Sequence, residues 1–327
     1  MSIDWSRKDA RTTADTGGVG GGARALRRYG IVIPSGASFG SVTLPDGRLL
    51  AYADYGPPSG TPILYCHGFP SCSLEAGLLA PVLAAEGARI IAPDRPGYGR
   101  SSPLKGRTLR SFADDVAVLL DTLGLGSVAV VGVSGGGPYA LSLLAHMPQR
   151  VTRSALVGAL GPPEALRACR DDLFPLVRGA LHLADLGPVL APLVAWPVTR
   201  FLRLRGRLRL GARLASAADC EVLADPAVLD VLVAAQYEGM RRGAQAAVQD
   251  LLLYVRPWDF SLAEISSECA LWQGAADRIV PARMALEIAA LLPRARPHLI
   301  EGEGHYSLPI RYRTTIIRDV IGQGDRS

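Results

Sequence analysis

Short aliphatic runs alternate with amphipathic stretches through the first half of the chain, and this alternation limits the folds open to it. PILYCHG (62–68), ARIIAP (88–93), SVAVVGV (127–133) and VTRSALVGA (151–159) are each almost continuously apolar. Strands have this character when both faces of their sheet are covered. Between them, LEAGLLAPVLAAEG (74–87), LRSFADDVAVLLDTLG (109–124) and PYALSLLAHMP (138–148) carry helical patterning, the first ending at Gly87. SVTLPDGRLLAYADYG (41–56) adds two strands around a Pro-Asp-Gly turn. The whole predicts an α/β fold with a mostly parallel central sheet flanked by helices.

The alternation stops near residue 162. Residues 162–262 are helix-rich in Ala, Leu and Arg, without a buried strand. It resumes with CALWQG (269–274), the helix ARMALEIAALLP (282–293) and the strand-to-loop stretch RPHLIEGEGH (296–305). One α/β domain (40–161 and 263–327) with a helical insertion after about the sixth strand fits this order. Two tandem domains fit worse, because the last strands and helix would have no core of their own. Residues 1–39, Gly-rich in their middle, read as a flexible N-terminal tail.

Composition excludes several classes. Hydrophobic residues make up 49% and charged residues 20%, enough apolar mass for a large core. The formal net charge of +5 is modest and concentrated near the N-terminus and in RFLRLRGRLRLGAR (200–213), which argues against nucleic-acid binding. That arginine stretch reads as a solvated helix face whose leucines pack inward, with attraction of an anionic substrate or acidic partner, or contact with a membrane surface, as the alternatives. Five widely spaced cysteines without a CxxC suit reduced thiols and a cytoplasmic setting. No His/Cys spacing suggests a metal site. The start of the chain lacks the apolar core of a secretory signal, and GPVLAPLVAWPV (187–198) is too short and proline-rich to span a bilayer, so no stable membrane insertion is expected.

The chemistry centres on Gly132-Val133-Ser134-Gly135-Gly136, a G-x-S-x-G between a predicted strand and a predicted helix. In a nucleophile elbow this turn lifts the serine hydroxyl to the C-terminal edge of the sheet, and Gly132 and Gly136 give it room. The alternative is a plain tight turn. A nucleophilic serine needs a base held by an acid. His146, His182 and His298 fall on helices or within a strand; only His67 and His305 fall at strand ends on the serine's edge. The Ser–acid–His order that accompanies such elbows selects His305. Asp277, in the loop after the preceding strand, is the candidate acid, with a turn aspartate or helix cap as the alternative. Glu301 and Glu303, beside His305, are read as pointing away, and Asp250 and Asp259 receive no role. The N–H groups of Phe69 and Gly135 are the candidate oxyanion donors. Gly68 allows close backbone approach, and His67 is read as bracing that loop.

With these pieces assembled, the chain resembles the α/β-hydrolase superfamily, in its cap-bearing serine hydrolase (esterase/lipase-like) branch. HGFP, DRPGYGRSSP, GVSGGGPYA, GAADRIVP and EGEGH carry the resemblance in family order over about 40–160 and 263–320. It implies Ser134, Asp277 and His305 as catalytic triad, and a structural loop from Asp94, Arg95, Gly97, Gly99 and Ser101. Serine rather than aspartate at 134 argues against the carboxylate-nucleophile branches. It further implies that residues 162–262 form a cap, with Trp196, Tyr237, Met240 and Trp258 as candidate pocket residues. The expected function is hydrolysis of a carboxylic ester or related acyl bond in a small to medium, largely apolar substrate, without metal or cofactor. Carbon–carbon, thioester or amide cleavage, perhydrolysis and biosynthetic acyl transfer or cyclisation remain open, as do a ligand-receptor role and a homodimer.

Overall fold

The computed structural model describes residues 36–173, 175–185 and 216–324. Eight strands form one sheet in the order β1-β2-β4-β3-β5-β6-β7-β8. They are β1 (Ala37–Thr43), β2 (Leu49–Tyr55), β3 (Thr61–Cys66), β4 (Ala88–Pro93), β5 (Val128–Val133), β6 (Val151–Val157), β7 (Cys269–Gly274) and β8 (Ala295–Ile300). β2 pairs antiparallel with both β1 and β4, and all pairs from β4 to β8 are parallel. β1 begins at Ala37, inside the stretch expected to be tail.

The continuous apolar strands serve two cores because side chains alternate across the pleat. Leu64, Cys66, Val130, Leu156 and Leu271 face one side, against helices α2 (Leu109–Thr122) and α3 (Gly137–His146). Ile63, Tyr65, Val131, Val157 and Trp272 face the other, against Leu79 and Leu83, of which Leu83 ends the single-turn helix α1 (Ala80–Leu83), and against Ile316 and Ile317. The expected helix over 74–87 is divided into a 3-10 segment (Ser73–Leu78) and α1. Pro81 stands near the start of α1, where its missing N–H costs least.

Between β6 and β7 the described residues are helical: α4 (Pro163–Ala168), α5 (Pro175–Asp185), α6 (Ala217–Ala224), α7 (Pro226–Gly239) and α8 (Gln245–Val255). After β7 come α9 (Ala282–Leu291), β8, α10 (Ser307–Arg311) and α11 (Arg313–Val320). Among the described residues, no helix is long and apolar enough to cross a membrane. The arginine-rich stretch 200–213 and Trp196 lie outside the described residues.

The insertion is pinned to the sheet by a buried charge cluster. Asp250 of α8 is fully buried and accepts hydrogen bonds from Arg95 (2.8 Å), Tyr98 (2.8 Å), Arg107 and Tyr139. Burial opposes its ionisation, but the two guanidiniums and two phenols outweigh this and hold its pKa below the usual value. Removing one member of such a buried network strands the remaining charges. Asp250→Ala is therefore expected to destabilise the fold by about 3–5 kcal/mol in chemical denaturation; a loss under about 1 kcal/mol would show that the cluster does not hold the insertion down.

Candidate active site

β5 ends at Val133, and the chain turns on Ser134 with φ of 52°, a conformation that a β-carbon disfavours by about 1–2 kcal/mol. The surrounding fold over-determines the turn. Gly132 is in register with Cys66 of β3, and Ser134 O accepts the Leu160 N–H at 3.0 Å. A β-carbon on Gly136 would lie 2.1 Å from Cys66 O, so glycine is needed there for the elbow to sit against β3.

Two further loops, also at the C-terminal ends of parallel strands, meet this turn. His305 follows β8, and its Nε2 lies 3.1 Å from Ser134 Oγ. Its Nδ1 lies 2.8 Å from Asp277 Oδ2, in the loop after β7. Asp277 is held in turn by the N–H groups of Ile279 (2.8 Å) and Val280 (2.9 Å), which donate to Oδ1, and by Gln273 Nε2, which donates to Oδ2 at 3.2 Å. With Nδ1–H given to Asp277, Nε2 is free to accept the serine proton. Burial alone would lower the His305 pKa. The Asp277 charge and hydrogen bond, helped by Asp219 and Glu75, outweigh it and raise the pKa above the ordinary histidine value.

His67 occupies a different position. It is fully buried, donates from Nδ1 to Gly68 O at 3.0 Å and accepts the Arg95 N–H at Nε2 (3.3 Å). Burial and the neighbouring Arg95 push its pKa well below the usual value. Its neutral ring therefore ties the HGFP loop to the DRPGYG loop, and Arg95 adds hydrogen bonds to His67 O and Gly68 O. Phe69 lies beside the elbow, its nitrogen 3.3 Å from where a Gly135 β-carbon would be. Among the described residues, nothing accepts the Phe69 N–H.

A cleft opens over Ser134 and His305. Phe69, Leu78, Leu79, Leu232, Tyr306 and Ile310 give it apolar walls, while Glu75 and Gln236 supply polar groups. Three of the four expected pocket residues are placed elsewhere. α7 presents Leu232 and Gln236, four residues apart, to the cleft. Tyr237, one position on and rotated away, is 40% exposed. Met240 is buried beyond the end of α7. Trp258 packs on Phe260 and donates to Leu253 O at 3.1 Å. The fourth, Trp196, is not among the described residues.

Two residues of the insertion reach the site through contacts that no local motif announces. Tyr254 of α8 donates to Gly135 O at 2.8 Å, gripping the elbow. Asp219 of α6, fully buried, accepts the N–H groups of His305 (3.1 Å), Tyr306 (2.7 Å) and Ser307 (2.8 Å). A β-carbon on Gly304 would lie 2.2 Å from Asp219 Oδ2, so only glycine admits this approach. The available signal is an acid within a largely apolar helix, Asp219 beside Glu221 in α6 and Asp250 alone in α8, since a carboxylate buried there without partners would be costly. Among the described residues, no group of His, Cys, Asp and Glu is placed to hold a metal ion. Since the Asp219 charge raises the His305 pKa, Asp219→Asn is expected to move the His305 NMR titration to lower pH. An unmoved or raised midpoint would contradict that coupling.

Comparison with known proteins agrees with this architecture. The chain is 34% identical over 125 residues to a bifunctional esterase/perhydrolase of Acinetobacter calcoaceticus, covering 38% of this chain and 45% of that protein. It is 32% identical over 257 residues to the magnesium-chelatase 30 kDa subunit of Rhodobacter capsulatus, covering 77% and 83%. The chain spans half or less of the length of the first curated relatives that it matches. An alpha/beta hydrolase fold protein from Nakamurella multipartita superposes with a TM-score of 0.63 at 23% identity, covering 88% of this chain and all of that one. The family described as alpha/beta hydrolase fold matches residues 61–311, a span that holds the elbow, the HGFP loop, Asp277 and His305, and the chain belongs to that family.

Proposed function

We propose that this protein is a serine hydrolase that cleaves a carboxylic ester or related acyl bond through an acyl-enzyme. The observation that carries the reading is the continuous hydrogen-bonded line from Ser134 Oγ through the His305 ring to Asp277. His305 Nε2 takes the hydroxyl proton as Ser134 Oγ attacks the carbonyl carbon, and Asp277 stabilises the imidazolium that results. The Phe69 and Gly135 N–H groups receive the oxyanion. His305 then protonates the leaving alcohol. Water, deprotonated by the same nitrogen, attacks the acyl carbon and frees Ser134. The apolar walls from Leu78, Leu79, Leu232 and Ile310 suit a small to medium acyl compound.

The relative from Acinetobacter favours a second use of the same acyl-enzyme. Hydrogen peroxide in the place of water would release a peracid and return Ser134 to its hydroxyl form. Peracid formation from an ester and hydrogen peroxide, measured beside simple hydrolysis, separates the two readings.

A fluorophosphonate probe is expected to label the wild-type chain and not Ser134→Ala, and that variant should lose about 10³-fold or more in kcat on p-nitrophenyl esters. Equal labelling of both proteins would overturn the assignment. The pH profile supplies a separate check. The neutral form of His305 is the active base, and its pKa is raised, so kcat/KM should fall as pH drops through a midpoint above about 6.5. An acid limb well below that value would mean that another group controls the rate.

A further inference from the structure

Glu75 stands out among the cleft residues because its carboxylate is only half used. It lies on the 3-10 segment Ser73–Leu78, is 7% exposed, and lines the same cleft as Ser134 and His305. One oxygen, Oε1, accepts both the Tyr65 hydroxyl and the Gly68 N–H, each at 2.8 Å. The other, Oε2, has no hydrogen-bond donor among the described residues, and no Lys, Arg or His among them pairs with the carboxylate. Oε2 is not enclosed by protein, so the open oxygen faces the cleft, and the neutral donors on Oε1 leave the carboxylate without a cation.

The position sharpens the problem. Gly68 precedes Phe69, a candidate oxyanion donor, so the carboxylate sits beside the loop on which negative charge would develop. A negative charge there favours the protonated form of His305 but repels an oxyanion forming on the neighbouring loop, so with a neutral substrate its two effects oppose each other. Tying down the Gly68 peptide does not explain the charge, because a neutral acceptor at Oε1 would do the same. A substrate carrying its own cation changes the balance, since it pairs with the open oxygen and cancels the field at the reacting carbonyl.

We propose that Glu75 is a substrate-recognition residue whose open oxygen, Oε2, binds an ammonium group carried by the substrate, so that the enzyme prefers acyl compounds bearing an amine. This inference rests on Ser134 acting on an acyl substrate in this cleft. Ammonium-to-carboxylate hydrogen bonds are charge-assisted and roughly twice as strong as neutral ones. The open oxygen selects for the cation, while the apolar walls accept the hydrocarbon that joins it to the ester.

The test uses two p-nitrophenyl esters of matched length, 6-aminohexanoate and heptanoate, in which an ammonium replaces a methyl. The wild-type chain is expected to favour the ammonium ester by about tenfold or more in kcat/KM, the low end for a hydrogen bond to a charged group. Glu75→Gln, which keeps an oxygen for Tyr65 and Gly68 but removes the charge, should bring that ratio to one or below. A wild-type ratio near one overturns the proposal whatever the variant does, so poor folding of the variant does not shield it. A preference that survives Glu75→Gln unchanged also overturns it. Fluorophosphonate labelling of Ser134 is measured on the same samples. A labelled enzyme with no preference removes only the Glu75 assignment, whereas an unlabelled, inactive enzyme removes the acyl-hydrolase reading and this proposal with it.

Discussion

The positive φ of Ser134 is the constraint around which the site is built. A non-glycine residue does not hold that conformation unless its surroundings allow no other. β3 and β5 supply the restraint by bringing Cys66 into register with Gly132, so that the elbow turns directly over the end of β3. The HGFP loop continues from the same end of β3. One close packing contact therefore sets the serine and the candidate oxyanion donor at once, and glycine at 136 is its steric condition.

The helical insertion acts on this arrangement from two sides. Asp250 pairs with both Arg95 and Arg107 within the core, and Arg95 in turn holds the carbonyls of His67 and Gly68. One turn further along α8, Tyr254 takes the carbonyl of Gly135. On the other side, Asp219 gathers three successive N–H groups at His305, Tyr306 and Ser307. The insertion thus walls the cleft with Leu232 and Gln236 and also fixes the backbone on which the serine and histidine ride. Loss of its packing would loosen the backbone at Ser134 and His305 and not merely uncover it.

What could be read in the sequence follows from the range of the interactions involved. The strand-to-helix alternation is local, so the order of elements through the sheet was legible. The elbow and the loops bearing Asp277 and His305 were legible because each motif sits at a strand end, and strand ends of a parallel sheet converge on one edge. Asp219 and Asp250 were not, because their partners lie 86 or more residues away in sequence for His305 and 155 for Arg95. Nor could aromatic content alone identify the pocket wall. Tyr237 and Gln236 are neighbours in sequence, but helix rotation sends one to solvent and the other to the cleft. The divided helix after β3 was obscured because its leucines and alanines suit one continuous helix as well as two short ones.

The central claim is that the fold makes Ser134 a nucleophile by placing it against His305. Acid-quenched mass spectrometry of the chain mixed with p-nitrophenyl acetate tests it most directly. The account predicts one added acetyl group during turnover, on the peptide that contains Ser134, and no such adduct in Ser134→Ala. Turnover without a covalent adduct, or an acetyl group carried on a different residue, would contradict it.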